Sequence, residues 1–364
     1  MEALKRINSA GHGMLACVVA LAVAGLITAV SAAPPGEVWF VLARQCAFLG
    51  AGVACFLAAF TLSSEASRRL VQPAICVLFV FLILMLVTSL GHTANSATRW
   101  VQIGPLTLQP SILFQCFWPI ALASWVSRDP LRLHSPKAIA ELGVIFMIMM
   151  FPVLMQPDLG SVMILIVVSG FTFFFAGTPL RFLYILIPIL ILFLWSASLF
   201  FPHVSSRLSY WDDPSQQVLR GEEAFVAGGL TGVGPGNGVM SFGFIPESGT
   251  DFIYPIVAEE WGLVGSFVIW ILFLAFTFFG FRAARHSETR YGIILMASAT
   301  LMISFQAAYN MAMVLQIVPV KGLPLPFVSR GGSSIIALSA LLGVALKAVY
   351  EGRRRPAPVT ELFS

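Results

Sequence analysis

Ten long apolar stretches, separated by short polar segments, dominate this chain. A bilayer core takes roughly 20 helical residues to cross. Charged residues are 10% of the 364 and apolar residues 58%, whereas a soluble domain is usually about 25% charged. We predict an all-α polytopic membrane protein of about ten transmembrane helices. The predicted spans are 13–33, 43–62, 70–90, 109–127, 138–155, 158–177, 182–201, 254–281, 291–318 and 333–349.

Basic residues are distributed unevenly between the two sets of loops. Fifteen of the 21 Lys and Arg residues lie in one set, together with both termini. The positive-inside rule places that set in the cytoplasm. We therefore expect a cytoplasmic N-terminus (1–12), a membrane domain (13–349) and a basic cytoplasmic tail (350–364). The outer face then holds the other six cations, which are Arg44, Arg99, Arg207, Arg220, Lys321 and Arg330.

Several function classes lack sequence support. There is no HExxH motif, no Cys/His metal set, no GxSxG motif and no soluble nucleotide domain. The glycine-rich stretch 228–238 lacks the lysine of a phosphate loop, so we interpret it as flexible, closely packed backbone. All five cysteines lie in apolar runs, which favours packing over disulfides. Neither ATP-driven transport nor nucleic-acid binding is indicated.

Carboxylates gather at the predicted outer face, above all in the stretch GFIPESGTDFIYPIVAEEWG, 243–262. From spacing alone, Asp251 fits either a catalytic role or a charge near a helix N-terminus, where Pro255 suits the first turn. Glu259 and Glu260 lie one or two turns deeper, which fits structural pairing or a cavity lining. Asp158, in QPDLGS, fits a helix cap or a functional role.

The segment VPVKGLPLPFVSRGGSS, 318–334, contains three prolines, three glycines and two cations. It cannot be an ordinary span, and irregular backbone at membrane depth is tolerated where it lines a cavity. Lys321 and Arg330 would then face water or an anionic ligand, unless the segment is a turn without a ligand.

These stretches occur in the order typical of one family. GLITAVSAA, GPLTLQPS, QPDLG, GGLTGVGPGNG, IPESGTDFIYPIVAEEWGLVG and VPVKGLPLPFVSRGGSS together cover about residues 25–340. They resemble the SEDS family (shape, elongation, division and sporulation), and the wording is closer to its FtsW and SpoVE branches than to RodA. The expected fold is therefore the SEDS type, with large extracytoplasmic loops at about 91–108 and 202–253.

The resemblance implies a peptidoglycan glycosyltransferase in the bacterial inner membrane. Such enzymes polymerise lipid II, an undecaprenyl-diphosphate-linked disaccharide pentapeptide, beside a class B penicillin-binding protein and other division or elongation proteins. The family's essential aspartate corresponds to Asp251. Inverting transfer from a diphosphate donor needs one base on the acceptor hydroxyl, and Asp251 is the expected base.

The leaving diphosphate requires positive charge. The candidate protein donors are Arg99, Arg207, Arg220, Lys321 and Arg330, with Asp158, Glu259 and Glu260 as supporting polar residues. A divalent cation, Mg²⁺ or Mn²⁺, is the expected alternative or addition. No organic cofactor is expected.

Four positions depart from the family pattern. Gly249 replaces a histidine, Ile112 a glutamate, Gln115 a lysine and Arg330 a tyrosine. Positions 112 and 115 share a helix face, so the two changes together are interpreted as a lost ion pair. Two other functions therefore remain open: a flippase for a lipid-linked precursor, and a non-catalytic scaffold that recruits a penicillin-binding protein.

Overall fold

The chain folds into a helical bundle with a small sheet at one end. The computed structural model describes residues 9–34, 36–88, 92–94, 97–103, 106–129, 133, 135–156, 158–179, 181, 216–240 and 249–352. Its helices are α1 Ser9–Ser31, α2 Val38–Thr61, α3 Ser64–Val87, α4 Pro110–Val126, α5 Pro136–Met155, α6 Leu159–Phe175, α7 Gln216–Gly228, α8 Ile253–Arg285, α9 Arg290–Val314 and α10 Gly332–Gly352. The strands are β1 His92–Ala94, β2 Ala97–Ile103 and β3 Leu106–Leu108.

Nine of the ten predicted spans coincide with helices α1–α6 and α8–α10. Within the described ranges, seven helices are long and apolar enough to cross a membrane, and α4 and α6 are shorter apolar helices of 17 residues. The predicted span 182–201 lies outside the described residues. The all-helical polytopic fold is therefore confirmed.

Three features differ from the sequence-based boundaries. The ninth predicted span extends to residue 318, but α9 ends at Val314, and Gln316 has a φ of 58°. The loops 91–108 and 202–253 contain an antiparallel sheet in the order β1-β2-β3 and the 13-residue helix α7. Short polar elements of this kind have no long hydrophobic period to reveal them.

Helices α4, α9 and α10 lie at the centre of the bundle, with most of their side chains buried. Helices α2 and α3 lie outside them and expose apolar side chains such as Trp39, Phe40 and Val87. An apolar outer surface is what a lipid environment requires. It agrees with the membrane assignment.

Helix α8 is interrupted at Gly262, whose φ of 66° and ψ of −164° are outside the helical region and suit a residue without a side chain. Backbone of the glycine-rich stretch takes over hydrogen bonds lost at the break. The amides of Leu263 and Val264 donate to the carbonyls of Gly229 (2.9 Å) and Leu230 (3.2 Å). The predicted close packing of this stretch is confirmed.

Candidate functional site

The backbone of Gly249, Thr250 and Asp251 is held by three successive hydrogen bonds. The Gly249 carbonyl accepts from the backbone amide of Arg330 at 2.8 Å. The Thr250 carbonyl accepts from Ser329 Oγ at 2.6 Å, and the Asp251 carbonyl accepts from Asn310 Nδ2 at 2.8 Å. Because three consecutive carbonyls are held, the backbone position of Asp251, just before α8, is fixed, and so is the point from which its side chain extends.

Residues 249–251 form one wall of the site, and residues 315–331 form the other. Side chains of α9 hold this second wall by hydrogen bonds. Gln306 Nε2 donates to the Pro324 carbonyl at 2.9 Å, Tyr309 OH to Pro319 at 2.8 Å and Asn310 Nδ2 to Leu323 at 2.6 Å. The side chain of Asn310 thus joins this segment to Asp251. The backbone is irregular, as predicted.

Backbone strain is concentrated in this same segment. In the described part of the chain, the non-glycine residues with positive φ are Gln316 and Phe327, the latter at 63° and buried. A bulky residue in the left-handed region costs about 1–3 kcal/mol and persists where the surroundings impose it. The segment therefore has a fixed shape, which suits a site that must hold reacting groups in place.

The carboxylate of Asp251 lies against Gly322. A Cβ atom added at Gly322 would be 3.0 Å from Asp251 Oδ2. Asp251 is half-buried, and so is Lys321, the residue before Gly322. The backbone amide of Lys321 donates to the Met313 sulfur at 3.0 Å, which anchors the cation's main chain to α9. The structure thus brings a carboxylate and a lysine to the same loop cluster.

Replacing Gly322 with Ala is expected to lower the activity of the site while leaving the fold intact. The new methyl group would press on Asp251 Oδ2 and shift it by a few tenths of an ångström. Because a misplacement of a reacting group by about 1 Å can cost roughly 100-fold in rate, we expect a loss of only several-fold here. Gly331→Ala is the matched control, since its Cβ would meet Ser334 Cβ at an ordinary 3.5 Å. Equal turnover rates for the two variants would contradict the packing of Gly322 on the carboxylate.

Arg330 lies at the other end of this segment and contacts α1. Its Nη2 donates to the carbonyl of Ala29, in the last turn of α1, where a cation is favourable. Burial and the nearby Arg44 lower the pKa of the Arg330 guanidinium, while Glu260 opposes that effect. The guanidinium remains protonated, so the positive charge predicted here is present.

Asp158 is at the N-terminus of α6, in a network of neutral donors. It is 2% exposed, and it accepts from Ser111 Oγ at 2.8 Å, Ser161 Oγ at 2.6 Å and Gln109 Nε2 at 3.1 Å. It also accepts from the amide of Ser161 at 3.2 Å, so the predicted helix cap is confirmed. These partners give the buried carboxylate a structural role.

The two departures in α4 lie beside this network. Gln115 donates to Ser161 Oγ and so reaches Asp158 through one hydroxyl, while Ile112 is buried in the core. Neutral side chains at both positions avoid a buried charge without a partner. The segment 315–331 also reaches this region, because a Cβ at Gly160 would meet Leu323 Cδ2 at 2.9 Å.

Glu259 and Glu260 are buried carboxylates that anchor the glycine-rich stretch and the two residues that follow it. They are 2% and 1% exposed. Glu259 Oε1 accepts from the amides of Val239 (2.7 Å) and Met240 (3.2 Å). Glu260 accepts from the amide of Gly236 at 3.1 Å and from Ser31 Oγ. Of the two roles predicted for these glutamates, these contacts support structural pairing.

The remaining predicted cations are less informative. Arg220 is exposed on α7 and pairs with Glu223 at 2.7 Å. The backbone of Arg99 is in β2, but its side chain lies outside the described residues, as do all atoms of Arg207. Five cations are candidates to bind the diphosphate. Of these, Lys321 and Arg330 are the two that the described structure places in the segment 315–331, beside Asp251.

Sequence reasoning missed Asn310 and Ser329, which hold the carbonyls next to the candidate base. Asn310 is fully buried, and it lies within the ninth predicted span. A polar side chain in an apolar span marks a partner inside the protein, so a signal for Asn310 was present. Ser329 carries no comparable signal, because serine is common in loops.

The donor set can be compared with what a divalent metal needs. The described ranges contain no group of three or more His, Cys, Asp or Glu side chains placed to hold an ion. Mg²⁺ commonly binds through one or two carboxylates together with substrate phosphates and water. A single carboxylate such as Asp251 fits binding of Mg²⁺ together with substrate phosphates and water, and does not make a site of protein ligands by itself.

Comparisons with known proteins cover nearly the whole chain. The family model FtsW/RodA/SpoVE, described as cell cycle protein, matches residues 11–354. A Caulobacter vibrioides protein, named probable peptidoglycan glycosyltransferase FtsW, is 32% identical over 86% of this chain and 80% of its own length. A Marinobacter nauticus protein of the same name is 33% identical over 93% of this chain and 88% of its own.

Solved structures agree with the sequence relatives. A chain from a peptidoglycan synthase complex, described as coordinating polymerization and crosslinking, superposes with a TM-score of 0.79 at 27% identity and covers 94% of this chain and 98% of that one. The rod shape determining protein RodA of Thermus thermophilus gives a TM-score of 0.70 at 26% identity, covering 94% and 96%.

Proposed function

Because the chain belongs to the FtsW/RodA/SpoVE family, we propose that it is a peptidoglycan glycosyltransferase that polymerises lipid II into glycan strands. The observation that carries the proposal is Asp251, a half-buried carboxylate at the end of a backbone stretch, 249–251, that three hydrogen bonds hold, with its side chain against Gly322. Its relatives named peptidoglycan glycosyltransferase support the same activity.

The proposed reaction is a single displacement. Asp251 accepts the proton of the acceptor sugar hydroxyl as its oxygen attacks the donor's anomeric carbon. The bond from that carbon to the diphosphate oxygen breaks, and the diphosphate leaves with the electron pair. One displacement inverts the anomeric carbon and requires one base, in contrast to the carboxylate pair of a retaining enzyme.

Lys321 is the proposed cation for the leaving diphosphate. It adjoins Gly322, the residue that packs on Asp251 Oδ2, and its main chain is anchored to Met313. A fixed positive charge stabilises the charge that develops on the leaving group. When present, Mg²⁺ or Mn²⁺ would add to that stabilisation. Arg99, Arg207 and Arg220 remain proposed contributors to binding of the diphosphate.

Lys321→Ala is expected to lower the turnover rate by about 10²–10³, the usual cost of removing one charge-stabilising group. Lys347→Ala is the control, because Lys347 pairs with Glu351 at the far end of α10. Initial rates of lipid II consumption by the two purified variants would decide the matter. A normal rate for Lys321→Ala would remove this residue from the mechanism.

The proposed setting is the bacterial inner membrane, with both termini in the cytoplasm and the site on the outer face. The distribution of basic residues supports this orientation. The proposed partner is a class B penicillin-binding protein, supported by the likeness to a synthase complex that couples polymerization with crosslinking. Further division or elongation proteins are proposed to join this assembly.

The test is polymerisation of purified lipid II by the purified protein, with and without its cognate penicillin-binding protein. We expect glycan chains that grow with time on a gel. Intact lipid II in both reactions, together with transfer of fluorescent lipid II across vesicle membranes, would instead establish a flippase. Intact lipid II without transfer, in a chain that still recruits the penicillin-binding protein, would establish a scaffold.

A further inference from the structure

Gly249 and Arg330 occupy one another's space beside the candidate base. A Cβ atom added at Gly249 would lie 2.7 Å from Arg330 Cδ, 3.2 Å from its Nε and 3.3 Å from its Nη1. The first distance is shorter than carbon atoms tolerate, so any side chain at position 249 would have to displace the arginine. The arginine side chain therefore has its present place because residue 249 has none.

Arg330 links its own segment, 315–331, to Gly249 and to α1. Its backbone amide donates to the Gly249 carbonyl at 2.8 Å, and its Nη2 donates to the Ala29 carbonyl at the end of α1. The last carbonyls of a helix have no intrahelical donor, so this contact also caps α1. Arg330 Nε is buried and has no hydrogen-bond partner among the described residues. The side chain thus bonds to α1 and packs on Gly249, while the backbone amide holds the Gly249 carbonyl two residues before Asp251.

We propose that Gly249 and Arg330 form a matched pair that positions Asp251, and that Arg330 is a positioning residue rather than a contact for the substrate diphosphate. This inference rests on the proposed function. Two of the four departures from the family pattern are then one event: loss of the side chain at 249 makes the room that a long cation at 330 fills.

The two roles of Arg330 predict different kinetics. A residue that contacts the donor diphosphate in the ground state would, when removed, raise KM. A residue that only orients the base would, when removed, lower kcat and leave KM for lipid II nearly unchanged. The expected loss in kcat for Arg330→Ala is about 10- to 100-fold, the cost of misplacing a reacting group.

The experiment is a double-mutant cycle with Gly249→Ala, Arg330→Ala and both together, each measured for kcat, KM and thermal unfolding. Gly249→Ala alone should lower both kcat and Tm, because its methyl group displaces the arginine. In the Arg330→Ala background the same methyl group has room, so it should add little further loss. Such non-additivity is the signature of residues in contact.

Arg330→Lys keeps the inference testable if a truncated side chain prevents folding. The lysine ammonium can still donate to the Ala29 carbonyl, so it should recover part of the kcat lost in Arg330→Ala. Gly331→Ala serves as the neighbouring control. Its Cβ would make only ordinary contacts.

The possible failures can be told apart. Additive effects on both kcat and Tm would overturn the matched pair, and a raised KM with normal kcat for Arg330→Ala would overturn the positioning role. If the wild-type protein polymerises no lipid II, the proposed function fails and the positioning role fails with it. The Tm cycle would then still show whether the two residues are coupled, because it does not depend on activity.

Discussion

Replacing Asp251 with Asn is expected to reduce the rate of lipid II polymerisation by about 10²–10⁴, the usual contribution of a general base. Asn has nearly the same size and shape but cannot accept the proton of the acceptor hydroxyl. The clamp on Gly249, Thr250 and Asp251 acts through backbone carbonyls and does not use the carboxylate. The backbone of the site should therefore keep its place, and the loss should appear in kcat.

Glu222→Gln is the matched control for this variant, because Glu222 is an exposed carboxylate on α7. It should polymerise at the wild-type rate under the same conditions. If Asp251→Asn also kept the wild-type rate, Asp251 would not be the catalytic base and another group would have to accept the proton. Measuring both variants with the penicillin-binding protein present prevents a missing activator from being mistaken for a missing base.

Asn310→Leu should affect both stability and activity. Leucine fits the same volume, but it cannot donate to the carbonyls of Asp251 and Leu323, which lie 2.8 and 2.6 Å from Asn310 Nδ2. A buried polar group left without a partner costs about 1–3 kcal/mol. The two walls of the site would also lose their common link, so kcat should fall by about 10- to 100-fold.

Thr300→Val is the control for that variant. Thr300 is buried in the same helix, but its hydroxyl donates only to the Met296 carbonyl one turn away, at 2.7 Å. It should lose some stability and keep its turnover rate. Tm and kcat measured together separate the two effects. A normal kcat in Asn310→Leu would show that the link does not position the base.

The helices could be predicted from sequence because long apolar runs satisfy a strong physical requirement. A span must hide its backbone from lipid over about 20 residues, and few other arrangements of this composition can do so. The break at Gly262 was not predictable in this way, because the hydropathy of α8 continues across it. Its cause is the glycine-rich stretch, which contacts α8 only in the folded chain.

The candidate base could be located from sequence, but its surroundings could not. Asp251 was identified by a motif and by its place between two predicted spans. The bonds that hold it come from Asn310 and Ser329, which are 59 and 79 residues from their acceptors. A polar residue such as Asn310 in an apolar span signals that a partner exists, but no local pattern says which residue that partner is. The contact between Gly249 and Arg330 is also long-range. In the sequence they are two separate departures from the family pattern, whereas in the structure the Arg330 side chain packs on Gly249.

The base role of Asp251 is tested most directly by chemical rescue of Asp251→Ala with formate in the purified complex. Removing the side chain leaves a space in which a small carboxylate can accept the same proton. We predict that formate raises the polymerisation rate of Asp251→Ala in a concentration-dependent way and leaves wild type and Lys321→Ala unaffected. Wild-type polymerisation by Asp251→Ala without formate, or an equal effect of formate on all three proteins, would contradict a catalytic base at this position.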